Sequence, residues 1–95
     1  MPLVLDYSML PEHMVGAMER YMKNGVAPGG FLEAVLSNDL LEAMERADMV
    51  NRYRLYDFGQ FLHQQAPRGS FGSPDRVANW VKVGGYEGYT KEEEK

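Results

Sequence analysis

The chain has 95 residues, 44% of them hydrophobic, with ten basic against fourteen acidic side chains for a net charge of −4, and no cysteine. That is one small globular domain, too small for a cleft between two domains and without disulfides, thiolate nucleophiles or zinc–thiolate sites. It lacks the basic stripe of a duplex DNA binder, no stretch reaches membrane-spanning length, and the opening "MPLVLDYSML" has no basic segment, so duplex DNA, a membrane and an export signal are not expected.

"PLVL" near the start reads as an extended arm that packs on a helix or on a neighbouring subunit. The first helix is expected from about Pro11 to Asn24. Proline suits its first turn, Glu12 complements the positive end of the helix dipole, and Gly25 stands where a left-handed stop is needed. Met14, Met18, Tyr21 and Met22 recur at three- and four-residue spacing and form its apolar face. Glu19 and Lys23 form an i,i+4 pair on the opposite side.

The turn "GVAPGG" leads into a second helix from about Gly30 to Leu36, with Phe31, Leu32, Val35 and Leu36 apolar. "SND" then supplies three capping residues in a row, and Asp39 with Glu42 has the spacing of a capping box. A third helix is expected there with Leu40, Leu41, Met44 and Ala47 inward, or else Phe31 to Asp48 is one helix bent at Asn38. "ADMVNRYRLYDFGQFLHQQAP" reads as one further helix with Val50, Leu55, Phe58 and Leu62 buried. Gly59 inside it would be accounted for by a close helix–helix contact. "GSPDRVANWVKVGG" carries the cleanest signature: Ser73 caps, Pro74 takes the first position, Asp75 supports the dipole, Val77, Trp80 and Val81 face inward, and Gly84 or Gly85 terminates. No segment alternates like a strand. The expected fold is all-α, a compact bundle of about five short helices over residues 1–85, with residues 86–95 a flexible acidic tail.

No constellation points to catalysis. His13 and His63 fall on different helices and outside any metal-ligand spacing. None of Ser8, Ser37, Ser70 and Ser73 lies in a nucleophile elbow. No metal, cofactor or enzymatic activity is therefore expected. Two turns remain of interest. "GVAPGGF" lacks the lysine and hydroxyl of a P-loop and serves first as a helix connector. Gly29 and Gly30 nonetheless leave free N–H groups at a helix start, where an anion is stabilised. "APRGSFGSP" joins Arg68, which can clamp a phosphate, to Phe71, which can stack on a base or plug the core, and to the capped start at Ser73. "NRYRLY" interleaves basic and aromatic residues, with Arg52 placed either to meet a ligand or to bridge to Asp48. The candidate ligand-binding set is Gly29, Gly30, Phe31, Arg52, Arg68, Phe71 and Ser73.

The blocks "RYMKNGVAPGGFLEAVLSNDLLEAMERAD" and "FLHQQAPRGSFGSPDRVANWV", spanning about Pro11 to Val81, resemble a family of small proteins of tailed bacteriophages and prophages. The resemblance implies a host bacterial cytoplasm and supplies no catalytic residue. By analogy with small phage proteins of this size, it implies an anti-defence role. One form is a homo-oligomeric sponge for a nucleotide immune signal of the cyclic dinucleotide or cyclic ADP-ribose type. The alternative is a stoichiometric inhibitor or adaptor of a host protein, using an acidic helical face or the methionine-rich surface.

Overall fold

The computed structural model describes residues 4–93. These form seven α-helices: α1 Glu12–Asn24, α2 Gly30–Leu36, α3 Leu40–Arg46, α4 Met49–Tyr53, α5 Leu55–Gln64, α6 Pro74–Val83 and α7 Gly85–Glu93. A 3₁₀ turn, Arg68–Ser70, precedes α6. No strand occurs among the described residues, so the class is all-α.

The predicted stop and start signals operate as read. Gly25 ends α1 at φ 68° and donates its N–H to Tyr21 O, Asp39 accepts from the Glu42 N–H at the start of α3, and Ser73 accepts from Arg76 N–H at the start of α6. α2 and α3 are separate helices, because Asn38 takes φ 64° and turns the chain between them. Residues 49–66 are two helices rather than one. The chain breaks at Arg54, whose guanidinium pairs with Asp57 and donates to Met9 O at 2.8 Å. That arginine fastens the segment preceding α1 across α5, where Tyr7 also stacks on Phe61 at 5.3 Å. Of the predicted arm, Met1 to Leu3 lie outside the described residues. Val4 is exposed, while Leu5 packs on the core.

The core joins Met18, Tyr21 and Met22 of α1 to Leu32 and Leu36 of α2, Phe58 and Phe61 of α5, and Val77 and Trp80 of α6. Two polar ties lock it. Tyr21 Oη donates to Ser70 O at 2.6 Å, and Trp80 Nε1 donates to Tyr21 O at 3.0 Å. Buried hydrogen bonds of this kind fix the relative placement of the elements they join, because leaving either group unpaired is costly. Here they join α1, the 3₁₀ turn and α6.

Four expectations are corrected. α3 turns Ala43 and Ala47 inward, whereas Leu40, Leu41 and Met44 are exposed; the small side chains let α3 lie close against α2, which leucines at those positions would prevent. Val50 is likewise exposed, and a Cβ at Gly59 would meet nothing within 4 Å, so no close helix contact explains that glycine. Gly59→Ala is accordingly expected to stabilise the fold by up to about 1 kcal/mol, read from the denaturant midpoint. Finally, residues 85–93 are helical rather than a tail: α7 packs against α1 and α6, with Tyr89 against Trp80 at 6.0 Å and Asn24 Nδ2 donating to Glu87 at 2.9 Å. The last two residues of the predicted tail lie outside the described residues.

Asp48 holds the start of α4. One oxygen accepts the Asn51 N–H at 2.7 Å and the other meets His13 Nε2 at 3.0 Å. The Asn51 N–H first, and His13 after it, hold the carboxyl below the ordinary carboxylate range. A depressed folded-state value contributes stability above the unfolded pKa of about 4 and loses it as pH falls through the folded value. Asp48→Ala should therefore lower Tm at neutral pH and flatten the decline of Tm below pH ~4.

Candidate functional site

Arg68 begins the 3₁₀ turn, and the turn is tied down by hydrogen bonds at Ser70. Ser70 donates its hydroxyl to Pro67 O at 2.6 Å while its own carbonyl accepts from Tyr21. Beyond it, Gly72 N–H donates to Leu36 O at 2.7 Å, tying the approach to α6 onto the end of α2. These bonds set Arg68, Gly69, Phe71 and Arg76 around one recess of about 460 Å³. Arg76 Nη1 lies 3.5 Å from Phe71 O, which draws its guanidinium toward the recess. Neither Arg68 nor Arg76 forms an ion pair among the described residues. Two unpaired guanidinium groups beside a half-buried phenyl ring suit a ligand with anionic oxygens and a planar part. Asp75, in the first turn of α6, is the nearby opposing charge.

Phe71 also lines an apolar cleft of about 370 Å³ with Val35, Leu40, Leu55, Leu62 and Gly59. Asn38, Asp39 and His63 form its polar part. A side chain of a partner or an apolar ligand of modest size could enter it.

The sequence-derived candidates separate into three groups. Arg68 and Phe71 share the recess, and Ser73 adjoins it as the α6 cap. Gly30 lines another depression, together with Pro74 at the start of α6, so the starts of α2 and α6 do approach one another. Glu33, Asp39 and Glu42 line that depression as well, against a single cation, Arg46, which pairs with Glu42. Arg46 Nη1 would stand 2.8 Å from a Cβ at Gly30. Gly30 thus makes room for an arginine beside three carboxylates, which repel a phosphate, while a Cβ at Gly29 would meet nothing within 4 Å and Gly29 lines none of these clefts. Phe31 is buried against Phe58 with ring centroids 5.2 Å apart, a core contact rather than a ligand platform. Arg52 is exposed on α4 and lines none of these clefts; the expected bridge to Asp48 is absent, since Asp48 pairs with His13.

Arg76, exposed near the start of α6, belongs to this recess although the sequence reading does not single it out. Its position five residues after Phe71, just inside a capped helix start, is the signal that would have found it.

Elsewhere, among the described residues, no group of three or more His, Asp or Glu side chains is placed to hold a metal ion, and no helix is long and apolar enough to cross a membrane. The hydroxyls of Ser70 and Ser73 are engaged with backbone groups, and the pair of His13 with Asp48 serves the start of α4.

A second surface stands out by its chemistry. Leu40, Leu41 and Met44 of α3 and Met49, Val50 and Tyr53 of α4 are all exposed, with Leu41 at 76%, Met49 at 72% and Tyr53 at 79%. Six large apolar side chains within fourteen residues exceed the scattered exposure usual on a monomer. No family model, no curated protein and no solved structure matches this chain.

Proposed function

We propose that this chain is a non-catalytic binding protein that sequesters a phosphorylated small molecule of the nucleotide class. The observation that carries the reading is the recess in which Arg68 and Arg76, both without carboxylate partners, flank Phe71. Guanidinium groups recognise phosphate oxygens in a fork geometry, and an adjacent aromatic face accepts a base. In the phage setting implied by the sequence resemblance, the ligand is a nucleotide immune signal in the host cytoplasm, of the cyclic dinucleotide or cyclic ADP-ribose type.

Calorimetry and thermal denaturation with a panel of cyclic dinucleotides, ADP-ribose derivatives and inorganic phosphate test this. A ligand in hundredfold excess over its Kd should add about 2.7 kcal/mol of apparent stability. Arg68→Ala and Arg76→Ala should each weaken binding about tenfold or more, as for loss of a charge-assisted hydrogen bond, with unchanged helix content. If no compound in the panel gives heat or a Tm shift, the reading fails.

A second reading, a stoichiometric adaptor or inhibitor of a host protein, is favoured by the exposed α3–α4 apolar surface. Capture of one host protein at equal stoichiometry, abolished by Leu41→Asp but not by Arg68→Ala, would select it over nucleotide sequestration.

A further inference from the structure

α3 and α4 are built inside out. Toward the core they bury only Ala43 and Asn51, with Ala47 between them, and on the outside they carry Leu40, Leu41, Met44, Met49, Val50 and Tyr53. Helices of seven and five residues have little stability of their own, and two alanines supply little apolar burial to hold them. Each of the six outward side chains is half or more exposed, so their apolar surface is left uncovered by the fold. A covering partner would supply the burial these helices lack.

The charges on this surface indicate which partner. Glu42 pairs with Arg46 within α3, and Asp48 pairs with His13. Glu45 and Arg52, one on each helix, are exposed and have no ion-pair partner among the described residues. An unpaired acid and an unpaired base flanking one apolar surface make that surface self-complementary. In a two-fold contact Glu45 of one copy meets Arg52 of the other, and the same pair recurs by symmetry. The rest of the segment is close to electrically balanced, so the chain's net charge of −4 does not oppose the contact locally.

We propose that α3 and α4 form the surface through which two copies of this chain associate about a two-fold axis, with Glu45 of each copy paired to Arg52 of the other. Sedimentation equilibrium of the full chain from about 1 to 200 µM should show a reversible monomer–dimer equilibrium. Leu41→Asp should give a monomer with unchanged far-UV circular dichroism, since Leu41 supports nothing inside the fold. Glu45→Arg and Arg52→Glu should each raise the dimer Kd about tenfold, and the double exchange, which restores opposite signs across the axis, should return it to within about threefold of the original. A monomer at every concentration would overturn the proposal, including one that instead captures a different protein through α3–α4. So would a dimer indifferent to Leu41→Asp, or single charge reversals that the double exchange does not rescue.

Discussion

Gly25→Ala and Gly85→Ala are each expected to unfold the protein or come close to it, while Gly59→Ala raises its stability. Gly25 ends α1 and Gly85 begins α7, and the two meet back to back. A Cβ on Gly25 would stand 2.6 Å from Gly85 N and 2.8 Å from Trp80 O, and one on Gly85 would stand 2.7 Å from Asn24 N. Every atom so approached is backbone, and no side-chain rotation can relieve it. Both residues also hold positive φ, 68° and 72°, where an L side chain adds about 1 kcal/mol or more by itself. Forcing α1 and α7 apart would then disturb the bond from Trp80 to Tyr21 O at the centre of the core. The combined cost is on the order of 4 kcal/mol or more, a large share of the ~5–15 kcal/mol that holds a small domain together. Urea unfolding of both variants beside Gly59→Ala measures it. A loss below about 1 kcal/mol for either variant would mean that this close approach is not kept in solution.

Much of the fold was legible because helix ends are written in local chemistry. Gly25, Asp39, Ser73 and Gly84 each act within four residues, so their signals survive whatever packs around them. Which side of a helix faces inward is not local. For α3, hydropathy ranks Leu40, Leu41 and Met44 above Ala43, but the short distance to α2 selects the alanine, and the leucines are left outside. α7 escaped notice for a similar reason. Its glycines and acids read as solvated chain, yet two successive left-handed glycines at its start fold it back onto α1. The break at Arg54 is set by a carbonyl of Met9, forty-five residues away in sequence. The candidate site was half legible for the same physical reason. Arg68, Phe71 and Ser73 sit in one connector and announce themselves together, whereas Arg76 joins them only because α6 starts at Pro74 and turns it back toward Phe71. Phe31 was misassigned because an aromatic just past a glycine turn can equally anchor a core, and here Phe58 waits opposite.

The second large effect should come from the tyrosine at the centre of the core. Trp80→Ala would remove the largest buried side chain together with its bond to Tyr21 O, for an expected loss of about 3–5 kcal/mol. Tyr21→Phe keeps the ring and deletes only the hydroxyl that donates to Ser70 O. It leaves that buried carbonyl unpaired and should cost about 1–2 kcal/mol. The same hydroxyl makes the fold sensitive to alkali. Burial first, and the charge of Glu33 second, push the Tyr21 phenol upward, and burial followed by Glu19 pushes Tyr7 up to about 12. A folded-state value above the unfolded ~10 contributes stability that is complete below pH ~10 and is lost as pH rises through the folded value. The urea midpoint should therefore hold steady up to pH ~9.5 and fall steeply between pH ~10 and ~12, with part of the 295 nm phenolate absorbance appearing only as the chain unfolds. Tyr21→Phe, less stable at neutral pH, should show a shallower alkaline decline, because one of the two phenols that resist ionisation is gone. An equally steep decline in that variant would place the alkaline sensitivity elsewhere. The recess offers an independent check, since Tyr21 positions the 3₁₀ turn from which Arg68 projects. Tyr21→Phe should weaken any ligand bound by Arg68 and Arg76 even at neutral pH where the chain remains folded.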